Sequence, residues 1–317
     1  MENSSKKVKI VIIGSGNVGT TIAYSLLIQN SNCYIYLVDT NKEKVLGECL
    51  DINNGVQNIG DSRVFCGNYE DCKNADYIIL SVGRNRRKGE ERSDLAAENI
   101  KIIDSVVDEI NKYNTKALVI VVTNPVDIIT YRVVRRLNVK KTSIIGTGCI
   151  LDKSRVIDIL SSYLECSVNE IECNVIGEHG NNPIVLWDDI KISKVKMKEY
   201  CISKKIVWDE EIKHKILKLV KSRGMDIIEK KGYTNYGIAL CVSSLISSII
   251  KNEFIVTNPT IVTDKLSESV DIPISLPCKI TCNGVEEIVF SNINNINNSS
   301  VAKLIKTIKL NINKYDV

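Results

Sequence analysis

The strongest constraint on this chain sits near its start. Residues 8–13 read Val-Lys-Ile-Val-Ile-Ile, an almost unbroken apolar run. A strand of that kind is buried on both faces, which is the habit of a parallel sheet. It leads into Gly14-Ser15-Gly16-Asn17-Val18-Gly19 and then a helical stretch to about Gln29. A second apolar run, Tyr34 to Val38, ends in Asp39. Three glycines between a strand and a helix, with an acid closing the next strand, form the arrangement in which a helix N-terminus holds a pyrophosphate.

Each residue of that stretch has a physical task. Gly14 permits the tight turn, Gly16 lets the backbone approach the phosphates, and Gly19 lets helix and strand pack closely. The helix N-terminus, at Asn17 and Val18, offers N–H groups and a partial positive charge. Asp39 is placed to accept hydrogen bonds from ribose hydroxyls. A carboxylate there repels a 2′-phosphate, so NAD is expected as cofactor in preference to NADP. The alternative is that the glycines serve only close packing.

The pattern continues through strand-like runs at Tyr77–Val82, Ala117–Val122 and Ser143–Ile145, with a helical stretch over 93–112. Strand and helix alternating at this spacing predict an α/β fold, a Rossmann-type doubly wound parallel sheet. After about residue 147 the rhythm changes. Helices are predicted from near Asp152, over 209–231 and over 234–251. A hairpin is predicted over 275–292 with Asn283-Gly284 as a type I′ turn, then a last helix over 299–315 capped by Ser299 or Ser300. The division is therefore a cofactor domain, 1–147, followed by an α+β substrate domain, 148–317.

Composition excludes several classes. The chain has 317 residues and a formal net charge of +4, with lysines spread along its length. That is a solubility pattern, not a nucleic-acid footprint. No apolar run reaches the roughly 18 residues needed to cross a bilayer. Eleven cysteines and two histidines are present, without CxxC pairs, so neither a zinc site nor a disulfide framework is expected. No leader-like stretch is seen, and the expected location is the cytoplasm.

The two histidines have different settings. His214 lies in a charged helix face, Glu210-Glu211-Ile212-Lys213-His214-Lys215, and reads as solvated. His179 sits in Gly177-Glu178-His179-Gly180, where flanking glycines allow close approach to a ligand. An imidazole is the natural proton donor near neutral pH. Asp152 is the candidate carboxylate to fix its tautomer, with an ordinary helix-end charge as the alternative. Arg155, three residues on and on the same helix face, has a guanidinium suited to a carboxylate. The polar, basic stretch Gly83-Arg84-Asn85-Arg86-Arg87-Lys88-Gly89-Glu90-Glu91-Arg92 follows a strand end and reads as a lid over an anion, or as a solvated loop. Ser81, Val82, Gly83, Val122 and Asn124 lie at strand ends, where such sheets bind ligands, and join the expected cofactor contacts.

Taken together, Gly14–Gly19, Asp39, Thr123-Asn124-Pro125-Val126-Asp127, Leu151-Asp152 with Arg155, and Gly177–Gly180 resemble the lactate/malate dehydrogenase family. The likeness covers most of the chain. It implies an NAD-dependent 2-hydroxy acid dehydrogenase in which His179 is the acid/base and Asp152 orients it. It implies that Arg155 clamps the substrate carboxylate and that Arg92 polarises the reacting carbonyl. Asn124 would contact nicotinamide and substrate, and Thr234 would sit at the pocket wall. It also implies a homodimer or homotetramer acting on a small anionic 2-oxo/2-hydroxy acid. Arg86 falls where the family sets specificity, glutamine in the lactate branch and arginine in the malate branch. A cation there would suit a second carboxylate. Gly232-Tyr233-Thr234, Trp187 and the Gly89-Glu90-Glu91-Arg92 spelling resemble the lactate branch instead, as does the lack of Pro at Asn85 and Met at Glu90. The reading favours lactate/pyruvate, with malate/oxaloacetate as the alternative, a bulkier 2-oxo acid third, and a non-catalytic NAD-binding protein remote. The positions matching the family's fructose 1,6-bisphosphate site are Ile157 and Glu172, which cannot hold a phosphate, so no such activation is expected. Lys153 replaces a residue that is usually small.

Overall fold

The computed structural model describes residues 7–29, 32–58, 60–84, 92–113, 115–180, 182–266, 270–289 and 299–315. The side chains of Val56, Arg92, Ser93, Asp94, Ser299 and Ser300 lie outside that set.

The opening strand, β1 (Val8–Ile13), passes through the fingerprint into α1 (Asn17–Ile28). Then come β2 (Cys33–Val38), α2 (Lys42–Asn54), β3 (Arg63–Cys66), β4 (Tyr77–Leu80), α3 (Arg92–Asn111), β5 (Leu118–Val121), α4 (Val126–Arg136) and β6 (Ile144–Gly146). The strands from β1 to β6 run parallel in the order β3-β2-β1-β4-β5-β6. This is the expected doubly wound sheet, and the chain reverses direction across it between β1 and β4. Register aligns the strand ends. Ile13 pairs with Val38 and with Leu80, Leu80 with Val121, and Val121 with Gly146. Gly14, Asp39, Ser81, Val122 and Thr147 therefore emerge along one carboxyl edge. The apolar runs read correctly because β4 and β5 are buried at every residue, leaving no polar face to break them.

The second half contains α5 (Ile150–Leu164), β7 (Ile171–Glu172), β8 (Val175–Glu178), β9 (Asn182–Val185), β10 (Lys191–Ile192), β11 (Val195–Lys196) and α6 (Met197–Lys204). It continues with α7 (Glu210–Lys231), α8 (Tyr236–Ile250), β12 (Ile255–Thr257), β13 (Thr260–Thr263), β14 (Ile272–Ser275), β15 (Cys278–Thr281), β16 (Gly284–Ile288) and α9 (Ser299–Tyr315). The sheet does not stop at β6. It extends antiparallel through β13, β14, β8 and β9, making ten strands among the described residues. This extension carries β8, and with it His179, toward the parallel half. Sequence periodicity carried no sign of it, because each of these four strands is only four residues long.

One local expectation holds and another is corrected. The helix expected near Asp152 begins at Ile150, with Cys149 at its N-cap, so Asp152 lies within the first turn. The hairpin turn is not type I′, which needs positive φ at both central residues. Thr281 pairs with Gly284, and of the turn residues only Gly284 has a positive φ, 91°. The glycine follows the turn and lies against Thr142, whose carbonyl oxygen is 2.1 Å from where a Cβ would stand. The cap expected at Ser299 or Ser300 lies outside the described side chains.

Candidate active site

The cofactor loop is built by close backbone contact. Gly14 has φ 104°, and a Cβ on it would lie 2.4 Å from the carbonyl oxygen of Ser81 and 2.7 Å from the amide of Val82. A Cβ on Gly19 would fall 1.9 Å from the carbonyl oxygen of Gly14. Gly16 differs, because nothing stands within 4 Å of its Cβ position. It caps α1 with no side-chain acceptor, and no hydrogen bond from the N–H groups of Asn17, Val18 or Gly19 occurs among the described residues. The hydroxyl of Ser15 is buried and has no hydrogen-bond partner among the described residues. Open space, free amides and an orphaned hydroxyl together fit a pyrophosphate.

Asp39 completes this end. Its Oδ2 accepts the Ser15 N–H at 2.8 Å, and its Oδ1 accepts the Asn41 N–H at 3.1 Å. Partial burial works against ionisation, but the bonds from Asn41 and Ser15 prevail and hold the carboxyl below its usual range. A permanent negative charge thus stands at the end of β2.

Asn99, which sequence reasoning missed, ties two strand-end loops together. It is 2% exposed on α3. Its Oδ1 accepts the N–H of Arg84 at 3.1 Å, and its Nδ2 donates to the carbonyl of Asn124 at 2.8 Å. Gly83, with φ 119°, packs directly over it. Thr123 adds a hydroxyl bond to the Val82 carbonyl at 2.6 Å. The Asn124–Pro125 peptide is cis, and the Asn124 side chain is exposed at the sheet edge.

The predicted pair on the other side is present. Asp152 is 1% exposed, and its Oδ2 lies 2.7 Å from His179 Nδ1. Its Oδ1 accepts from Arg155 Nη1 at 3.2 Å. Burial opposes the charge on Asp152, but His179 and Arg155 outweigh it and keep the carboxyl below its ordinary value. Burial likewise opposes protonation of His179, and the carboxylates of Asp152 and Asp127 reverse that, raising the imidazole above its ordinary value. An ionised carboxylate only accepts, so Nδ1 carries a hydrogen and Nε2 is left for a ligand. The ring keeps 22% of its surface open.

Helices α7 and α8 pack against α5 beside this pair. A Cβ on Gly224 would be 3.5 Å from Arg155 Nη2, one on Gly237 would be 3.2 Å from Leu151 Cδ1, and Cys241 Sγ is 3.5 Å from Ser154 Oγ. Thr234 is half-buried in the connection between α7 and α8, with no direct hydrogen bond to His179 or Arg155 among the described residues. Lys153 points away, its Nζ 3.4 Å from the Val256 carbonyl, and burial lowers its pKa. His214 is exposed, as expected. Arg86 and the lid segment 85–91 lie outside the described residues, as does the Arg92 side chain, although Arg92 opens α3. No helix among the described residues is long and apolar enough to cross a membrane, and no group of three or more potential metal ligands occurs among them.

Sheet, phosphate cradle and oriented histidine are together those of a nicotinamide-dependent oxidoreductase. Family models agree and sharpen the class: residues 8–146 match the lactate/malate dehydrogenase NAD binding domain, and residues 149–316 match the alpha/beta C-terminal domain of the same family. The chain belongs to the lactate/malate dehydrogenase family. A probable L-lactate dehydrogenase of Schizosaccharomyces pombe is 31% identical over 97% of this chain and 93% of its own length. An L-lactate dehydrogenase of Acetivibrio thermocellus is 33% identical over 91% of each. Among solved structures, a lactate dehydrogenase from a Medee basin deep-sea metagenome superposes with a TM-score of 0.92 at 26% identity, covering 99% of this chain and 100% of that one. The minor L-lactate dehydrogenase of Enterococcus mundtii gives 0.87 at 28%, covering 96% and 99%.

Proposed function

We propose that this chain interconverts L-lactate and pyruvate with NAD, and that His179 moves the proton. The observation that carries the reading is the 2.7 Å contact of His179 Nδ1 with buried Asp152, with Arg155 on the same helix. Bound NADH would supply the hydride to C2 of the 2-oxo acid, held by Gly14, Gly16, Asn17, Val18, Gly19 and Asp39 with the strand-end residues Ser81, Val82, Gly83, Val122 and Asn124. Arg155 holds the substrate carboxylate. His179 Nε2 gives its proton to the ketone oxygen, and Asp152 stabilises the imidazolium before transfer. Arg92 polarises the carbonyl, Arg86 faces the substrate's far end and Thr234 lines the pocket. In the oxidative direction neutral Nε2 takes the hydroxyl proton back.

The curated relatives support lactate, while Arg86 alone favours a dicarboxylate. Further parts of the reading are a cytoplasmic location, a homodimer or homotetramer, a division between residues 147 and 148, and no activation by fructose 1,6-bisphosphate. Consistent with the last, Glu172 is exposed on β7 and Ile157 packs against an apolar core. The test is NADH oxidation with pyruvate and oxaloacetate side by side. The reading expects pyruvate to be the better substrate by at least about tenfold in kcat/KM. Preference for oxaloacetate would make this a malate dehydrogenase, with the charge of Arg86 deciding the substrate.

A further inference from the structure

Asp127 is a buried carboxylate that the lactate/pyruvate reading leaves without a task. It stands in the first turn of α4 and is 5% exposed. Its Oδ2 accepts the main-chain N–H of His179 at 2.9 Å, and its Oδ1 accepts the hydroxyl of Thr260 at 2.6 Å. His179 is therefore held twice, by Asp152 at the ring and by Asp127 at the backbone. Both of Asp127's donors are neutral, and no Lys or Arg forms an ion pair with it among the described residues. Burying an ion on neutral donors is costly, and an asparagine could pair with the same two groups without a charge, its oxygen accepting from the His179 N–H and its amide donating to the Thr260 hydroxyl. Packing alone does not account for the carboxylate.

We propose that Asp127 is a positioning residue, whose carboxylate fixes the main chain of His179 and supplies a second negative charge that favours the imidazolium. This rests on His179 being the proton donor. The charged and titratable groups around the pair come from two elements, α5 and β8. Asp152 and Arg155 on α5 face the imidazole, and Arg155 opposes its protonation. Glu178 on β8 and the Cys149 thiol at the head of α5 face Asp127. Burial pushes the Asp127 carboxyl up to about 6, with Thr260 and His179 pulling it down and Glu178 adding to the rise. At neutral pH Asp127 is thus charged, and below about 6 its support of the imidazolium fades.

The chain's two histidines make a direct test available. In a His214→Gln background, NMR titration follows the His179 imidazole alone. Asp127→Asn retains an acceptor for the His179 N–H, and the Thr260 hydroxyl can turn to accept from the new amide. The expected result is a fall of roughly half to one pH unit in the His179 midpoint. The alkaline limb of kcat/KM for pyruvate reduction moves the same way, while KM for pyruvate changes little. A folded Asp127→Asn protein with an unmoved midpoint overturns the proposal. If that variant does not fold, Thr260→Val decides. It removes the hydroxyl that keeps Asp127 ionised, so a smaller shift in the same direction is expected, and none overturns the proposal. The titration needs no turnover, so its outcome is separate from the fate of His179 as proton donor, which a His179→Ala assay decides.

Discussion

The carboxylate of Asp152 and the imidazole of His179 meet at 2.7 Å, between two elements that begin the second half of the chain in different ways. Asp152 enters on the first turn of α5, and His179 follows the end of β8. The contact keeps the acid form of His179 available to higher pH than a free imidazole would allow. Asp152→Asn should therefore lower reductive turnover by on the order of 10²–10⁴-fold. The sign of the pH effect follows from the raised His179 value. Losing the carboxylate lowers it, so reductive kcat/KM should decline from a lower pH than in the native protein. A pH profile of pyruvate reduction checks both, and a limb that stays in place would exclude the Asp152 contact as its cause.

Gly14 and Gly16 should separate folding from cofactor binding. Alanine at 14 meets the Ser81 carbonyl and adopts φ 104°, so it should lower both the melting temperature and the NADH affinity. Alanine at 16 meets no protein atom. It should leave the melting temperature nearly unchanged and weaken NADH roughly tenfold or more, because the added methyl stands where the pyrophosphate approaches. Thermal melts with and without NADH distinguish the two, and equal behaviour would contradict the cradle.

Much of this site was legible because its signals are short-range. Gly14 to Asp39 spans one strand-helix-strand unit, and its apolar runs are buried on both faces. Asp152 and Arg155 are one helical turn apart, and His179 emerged because the only other histidine sits among charges. Asn99, and the task of Asp127 within its motif, escaped for the opposite reason. Asn99 joins residues 15 positions before it and 25 after it, and Asp127 joins residues 52 and 133 positions away. A polar residue on a buried helix face is the sequence trace of such a tie, but its partners emerge only once the sheet is assembled. The antiparallel extension from β13 to β9 is hidden likewise, since strands of four residues carry too little periodicity to declare themselves.

Asp39 should set cofactor choice. Its carboxyl is held below the usual range by the Asn41 and Ser15 amides, so it stays charged throughout the working pH range. Asp39→Ser should remove the repulsion toward a 2′-phosphate and lose ribose hydrogen bonds to NAD. The ratio of kcat/KM for NADH over NADPH should fall by about tenfold or more. An unchanged ratio would place the discrimination elsewhere.

The central claim is that His179 donates the proton, and His179→Ala tests it most directly. Pyruvate-dependent NADH oxidation by the variant is measured beside the native protein, with NADH affinity read by fluorescence on the same samples. The account predicts loss of turnover by at least about 10²-fold with NADH affinity within a few-fold of native. Substantial remaining turnover in a variant that binds NADH normally would contradict it.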